Sequence, residues 1–174
     1  MATTKIWAIR GRLDTVLRYA TNKKKTMYYT EQDIEQLRDV MDYVIEEEKT
    51  ERQLYVTGLH CDPWDARSRR IETKKFYGKE GGIIAYHAYQ SFAETHENVS
   101  AELAHQIGIQ TAQELWGERF QVVVATHLNT AHPHNHFVLN SVSFLDGKRY
   151  YDNKTTYRHF REVSDRICQE HGLH

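Results

Sequence analysis

Cysteine is scarce in this chain. Cys61 and Cys168 are the only two in 174 residues. They form no CxxC pair and neither lies near the histidines, which excludes a cysteine-rich zinc module and fits reduced thiols. Long apolar runs are missing as well. No stretch approaches the ~18 residues of a membrane span, so no membrane insertion is expected. The start, MATTKIWAIR, lacks the apolar core of a secretory signal, and a cytoplasmic location is expected. Internal repeats, linkers and low-complexity tracts are absent too. What is left, 40% hydrophobic and 27% charged residues, is ordinary globular composition, and the length suits one domain over 1–174. The closing HGLH carries no stop signal of a domain edge, so the chain is also read as the N-terminal fragment of a longer protein.

The net charge of -1 speaks against a polyanionic partner, but its distribution does not. Residues 31–51 hold nine acids and two bases, a local charge of -7, so the remainder carries -1 - (-7) = +6. Two basic stretches stand out. One comprises Arg10, Arg12, Arg18, Lys23, Lys24 and Lys25; the other Arg67, Arg69, Arg70, Lys74, Lys75 and Lys79. Charge runs are usually solvated faces, yet clusters of this density also suit a phosphate backbone.

Periodicity predicts strands at 3–9, 53–59, 83–92 and 120–126, the last followed by a second histidine-bearing strand. Helices are predicted at 13–20, 31–48, 63–78, from Ser100 to about Trp116, and at about 155–171. Thr30 with Asp33 begins the 31–48 helix. Its apolar face is backed by an acidic one, so it is expected to pack or meet a partner away from any phosphate. Asp146-Gly147 turns the chain. Helices interleaved with hairpin-linked strands indicate an α+β fold with a central, largely antiparallel sheet flanked by helices.

Four of the eleven histidines fall in the ten residues 127–136, within HLNTAHPHNHFVLNSVSF. On a strand, side chains alternate faces with period 2, so His134 and His136 point the same way. If the preceding strand pairs antiparallel, His127 joins them. A lone histidine is more often a satisfied core or surface residue than a ligand. Three that face one another suffer desolvation and, when protonated, mutual repulsion, which a divalent cation relieves. His132, in the loop before Pro133, need not share that face. Imidazole accepts manganese, zinc, nickel or cobalt, and magnesium prefers oxygen; magnesium or manganese is the expected ion in use. No cysteine, aspartate or glutamate completes the ligand set. With no carboxylate to activate water, a protein nucleophile is the natural alternative, and serine, tyrosine or another histidine can serve.

HLNTAHPHNHF resembles the metal-binding motif of the relaxases, the HUH single-strand endonucleases that nick conjugative and mobilisable elements at an origin of transfer. VLRYATNKKKT (16–26) is similar to their nucleophile motif, a tyrosine before a short basic segment. AYHAYQSF (85–92) is similar to their serine motif. The order of the three, over about 130 residues, is that of the relaxase and mobilisation-protein branch. The resemblance implies an HUH-like α+β fold, Tyr19 as nucleophile, Ser91 as a DNA contact, and His127, His134 and His136 as metal ligands. From the basic clusters, Arg10, Arg12, Lys23, Lys24, Lys25, Arg67, Arg69, Arg70, Lys74 and Lys75 are the expected contacts to a DNA backbone. Many relatives carry an aspartate that orients a ligand where this chain has Asn129, whose amide accepts a hydrogen bond without adding charge. The acidic 31–48 segment looks like an insertion.

The implied reaction is attack of a tyrosine phenolate on a phosphodiester, leaving a 5'-phosphotyrosine and a free 3'-hydroxyl. The implied partners are single-stranded or hairpin origin DNA, an accessory DNA-binding protein and a coupling protein. Two rivals remain at this point. HPHNHF also reads as the H-x-H-x-H of histidine-triad nucleotide hydrolases, although Asn135 breaks the apolar pattern that motif expects. A non-catalytic single-stranded DNA-binding module would keep the basic clusters and discard Tyr19. His87, a core or ligand-bracing candidate, is left without a role.

Overall fold

The computed structural model describes residues 2–10, 55–63, 72–79, 81–128 and 130–174. Strands β1 (Ala2–Arg10), β2 (Val56–Leu59), β3 (Ile83–Phe92), β4 (Val122–His127) and β5 (His134–Asn140) alternate with helices α1 (Ala101–Leu115) and α2 (Lys154–Glu170). The strands form one five-stranded sheet in the order β1-β3-β5-β4-β2. Every pairing is antiparallel, as the α+β reading expected. The predicted helices at 13–20 and 31–48 lie outside the described residues. Of the predicted 63–78 helix, 72–76 are helical and 64–71 lie outside.

Local chemistry explains the helix ends. Ser100 Oγ accepts the Leu103 amide at 3.1 Å, satisfying one of the donors a helix start leaves over. At α2 the capping is reciprocal. Asn153 Oδ1 accepts the Thr155 and Thr156 amides at 2.9 and 3.0 Å, while Thr156 Oγ1 accepts the Asn153 amide at 2.9 Å. The Asp146-Gly147 turn is observed, with Gly147 at φ 71°, where a side chain would be strained.

Both helices cover one face of the sheet. Trp116, at the end of α1, meets Phe137 of β5 and Phe160 of α2 edge-on, at 5.5 and 5.4 Å between ring centroids. Ile107, Val163 and Ile167 close the far end against Phe92. Cys168 is buried there, and burial pushes its thiol up to about 11; Cys61 is likewise free.

Between these apolar groups runs a chain of buried polar side chains. Thr57 Oγ1 lies 2.7 Å from His105 Nε2, and His105 Nδ1 lies 2.8 Å from Thr126 Oγ1. Thr126 donates to Asn135 Oδ1 at 2.6 Å. The Asn135 amide donates to Gln90 Oε1 at 3.0 Å and to Ala104 O at 2.8 Å. Gln90 in turn donates to Thr111 and Ser164. Because Thr126 spends its proton on Asn135, the network assigns the His105 proton to Nδ1 and leaves Nε2 to accept from Thr57. Burial holds His105 down to about 4, so it is neutral here.

Gly108 makes room for this network. A Cβ there would come within 2.6 Å of Asn135 Nδ2. Exchanging a helical glycine for alanine ordinarily stabilises by about 0.5–1 kcal/mol. Gly108→Ala is expected to do the reverse, costing about 1–3 kcal/mol by overpacking against a side chain its hydrogen bonds hold; thermal unfolding measures the sign. For His105 the folded pKa lies below the unfolded value, so the unfolded chain binds the extra proton. Its contribution is complete above about 6.5 and is lost as pH falls towards about 4. Denaturant unfolding at pH 7 and pH 5 is expected to show a smaller acid loss in His105→Gln than in the wild type.

Candidate metal centre

The face turned away from α1 and α2 carries the predicted site, and strand register arranges it in rows. Thr3, Ser91, His134 and His127 are cross-strand neighbours in the first row. Lys5, Tyr89, His136, Ala125 and Val56 form the second. Trp7, His87, Val138, Val123 and Gly58 form the third. Adjacent rows share a face because they are two residues apart on every strand.

The antiparallel pairing expected for the two histidine strands is present, and it brings His127, His134 and His136 together. Their ring centroids are 4.1 Å (His127 to His136), 5.1 Å (His127 to His134) and 5.1 Å (His134 to His136) apart. One nitrogen from each lies within 4.8 Å of the others, a grouping that could hold a metal ion. His127 is fully buried, His136 is 7% exposed, and His134 is half-buried on the open side.

Hydrogen bonds orient two of the rings. His134 Nδ1 lies 3.2 Å from the His132 carbonyl and donates to it, which leaves the lone pair on Nε2. His136 Nδ1 lies 2.7 Å from His87 Nε2. His87 is buried, and burial holds it down to about 4, so it is a neutral imidazole. Cation binding at His136 Nε2 requires the proton on Nδ1, and His87 Nε2 is placed to accept it, the arrangement by which ligating histidines are fixed in tautomer and orientation. Sequence reasoning left His87 without a role. The available signal was its period-2 spacing with Tyr89 and Ser91 on β3, but only the β3–β5 register reveals that it reaches His136. The donor set therefore fits a divalent cation: three neutral nitrogens converge from a rigid sheet and leave coordination positions for oxygen.

Other expectations divide. Ser91 is half-buried beside His134 in the first row. His132 is exposed, its Nδ1 3.2 Å from the Glu94 carbonyl, and is not among the three converging residues. Arg10 is exposed at the opposite end of β1, on a cavity of about 220 Å³ shared with Tyr86, Arg149 and Tyr151. Lys75 is exposed, but Lys74 is a correction: it is fully buried, so its ammonium is not presented to a phosphate backbone. Successive helical residues point about 100° apart, so a basic run cannot turn every side chain outwards. Tyr19, Arg12, Lys23, Lys24, Lys25, Arg67, Arg69, Arg70 and Asn129 lie outside the described residues.

The His87 bridge has a measurable consequence. Mn2+ titrated calorimetrically into His87→Ala is expected to bind about 10–100-fold more weakly than into the wild type. His87→Gln, which keeps an acceptor, is expected to recover part of the loss, whereas His127→Ala removes a ligand and should bind more weakly still.

Comparison with known proteins places this geometry. The family model described as "Relaxase: MobA/VirD2-like, nuclease domain" matches residues 19–173. Protein rlx of Staphylococcus aureus is 40% identical over 117 residues, 67% of this chain and 36% of that protein. A second protein rlx of the same species is 35% identical over 73% of this chain and 38% of its own length. The group II intron-interrupted relaxase LtrB of Lactococcus lactis subsp. cremoris is 27% identical over 88% of this chain and 34% of its own length. This chain thus spans about a third of the length of the curated relatives it matches. Among the described residues, no helix is long and apolar enough to cross a membrane. With the match running from Tyr19 through all three histidines to the last helix, the chain belongs to the relaxase family, in its MobA/VirD2-like nuclease-domain group.

Proposed function

We propose that residues 1–174 act as one nickase domain, a site- and strand-specific DNA transesterase that opens an origin of transfer and forms a 5'-phosphotyrosine. The observation that carries this reading is the convergence of His127, His134 and His136 on one sheet face, with His87 bracing His136 from β3. A bound divalent cation, magnesium or manganese in use and zinc, nickel or cobalt by ligand chemistry, supplies Lewis-acid polarisation of a non-bridging phosphate oxygen.

The chain's own residues do the rest. The three histidines would hold that cation on the open face of the sheet, beside Ser91. Ser91, next to His134, contacts the DNA strand on the side of β3. Arg10, Arg12, Lys23, Lys24, Lys25, Arg67, Arg69, Arg70 and Lys75 neutralise flanking phosphates, with Lys74 withdrawn from that set by its burial. Asn129 steadies a histidine ligand through its amide oxygen.

Tyr19 is the nucleophile. A phenol's ordinary pKa is ~10, so the phenolate needs positive charge nearby, which Lys23, Lys24 and Lys25 contribute from the same segment. The phenolate oxygen bonds to phosphorus, the bond from phosphorus to the 3'-oxygen breaks, and the leaving oxygen takes up a proton as a 3'-hydroxyl. One phosphodiester is exchanged for another, so the step is reversible and the strand can be resealed. A hydrolytic base would forfeit that reversibility, which is why a tyrosine suits strand transfer. The partners of this activity are single-stranded or hairpin origin DNA, an accessory DNA-binding protein and a coupling protein, in the cytoplasm. The histidine-triad hydrolase reading needs His132 beside His134 and His136, and His132 instead faces Glu94.

The test is a denaturing gel after incubation with a single-stranded origin oligonucleotide and Mg2+ or Mn2+. A covalent protein–DNA adduct is expected, absent in Tyr19→Phe, lost on chelation and restored by adding metal back. Tight binding with no adduct in the wild type would leave only a DNA-binding module and overturn the proposal.

A further inference from the structure

The outer rim of the histidine face carries a side chain that the nicking chemistry does not use. Trp7, on edge strand β1, is 37% exposed, although all the β1 residues that face the helices are buried or half-buried. Part of an indole is thus left open at the sheet's outer strand, on the same face as the histidines. Its neighbours narrow what it can meet. The Trp7 ring lies 4.5 Å from the His87 ring and 6.0 Å from the Tyr89 ring, centroid to centroid, and Lys5 Nζ stands 5.8 Å from its centre. Lys5, the charged residue of β1 in these rows, is cationic and exposed. The chain has 24 acidic residues, yet none falls in the five described strands. This rim therefore offers flat aromatic surface and positive charge with no carboxylate among the strands beneath it. A single nucleic-acid strand presents the complementary pair, planar bases on an anionic backbone.

Position makes the match specific. His87 touches both Trp7 and His136, at 4.5 and 5.0 Å between ring centroids. Trp7 thus stands one side chain removed from His136, on the row next to it.

We propose that Trp7, flanked by Tyr89 and Lys5, is a base-stacking subsite that grips one unpaired base of the single-stranded DNA next to the phosphate seated at the three histidines. The proposal rests on the reading of the site as a single-strand nickase. Trp7 supplies the stacking face, Tyr89 limits the ring's rotation from one side, and Lys5 swings from the indole to the adjacent phosphate. Grip at this point holds the strand taut across the histidines and favours unpaired over duplex DNA, because a paired base has no free face to offer.

The experiment is equilibrium binding of a fluorescein-labelled single-stranded origin oligonucleotide to the whole chain in chelator, read by anisotropy. Trp7→Ala is expected to weaken binding about 5- to 100-fold, the effect of deleting one base–aromatic stack. Trp7→Phe, which still stacks, is expected to stay closer to the wild type than to Trp7→Ala. Lys5→Ala should reduce the salt dependence by about 0.7 in slope, one phosphate on a single strand. Indole emission should be quenched by DNA in the wild type and less so in Trp7→Phe, a signal that a purely structural role would not produce. Trp7→Ala binding as tightly as the wild type, or Trp7→Phe binding as poorly as Trp7→Ala, overturns the subsite. Both outcomes leave the nickase reading intact so long as the wild type binds the strand and forms the tyrosine adduct. A wild type that binds no single-stranded DNA overturns both.

Discussion

The register between β4 and β5 is the constraint on which the site depends. Thr126 faces Asn135 across the pair, and one residue further on His127 faces His134. Slipping that pairing by a single residue would send His134 and His136 to the helix side and Asn135 to the metal side. The 2.6 Å bond from Thr126 to Asn135, on the opposite face from the histidines, stands against such a slip. Asn135 is also tied to Gln90 on β3 and to the Ala104 carbonyl on α1, so three elements agree on one register. Breaking it would strand several buried polar groups, each at about 1–3 kcal/mol. A purely apolar filling would stabilise the same fold without choosing one alignment so firmly. Gly108 belongs to this device, since it clears the space that the Asn135 amide occupies.

The two faces of the sheet consequently do different work. On the helix face the side chains of Thr57, His105, Thr126, Asn135 and Gln90 satisfy one another, and the result is a fixed scaffold. On the other face the imidazoles converge, and neutrality matters. Three uncharged ligands would leave a bound divalent cation its full positive charge, and the described strands hold no carboxylate to offset it. A site of this kind attracts an anionic phosphodiester more strongly than one built on aspartates. It is consistent with this that His136 is braced by another neutral imidazole, His87, rather than by an acid.

Much of the fold was legible in the residues because local rules applied. The start of a helix at Ser100 and the turn at Asp146-Gly147 follow from neighbouring residues alone. The alternation in β3 and the His134, His136 pair on β5 follow from period 2. The site's innermost part was legible for the same reason: two of the three histidines are neighbours along one strand. What was not legible depends on residues far apart in the chain. His87 and His136 are 49 positions apart, and His105 reaches Thr57 across 48. No periodicity reports such contacts, since they require the sheet order β1-β3-β5-β4-β2. Lys74 fails for a simpler reason: a basic cluster in sequence is not a basic patch once a helical turn distributes it, and Lys74 turned inwards while Lys75 turned out.

Exposure across the rows gives the site a direction. His127 on β4 is fully buried, His136 on β5 nearly so, His134 and Ser91 are half-buried, and Thr3, Lys5 and Trp7 on β1 are exposed. The gradient has a structural cause. β4 lies inside the sheet between β5 and β2, with Val123, Ala125 and Val138 forming a small apolar cluster with Ile9 and Ala85 on that face. β1 is the outermost of the described strands, and Thr3, Lys5 and Trp7 there remain at the surface. His127 is therefore the ring most removed from water, where the loss of competing hydration would strengthen its hold on a cation. The ring nearest solvent, His134, sits beside Ser91 on the open side of the sheet. Rigidity at one end of each row and access at the other come from the same five strands, and the difference between them is set by where a strand stands in the sheet order.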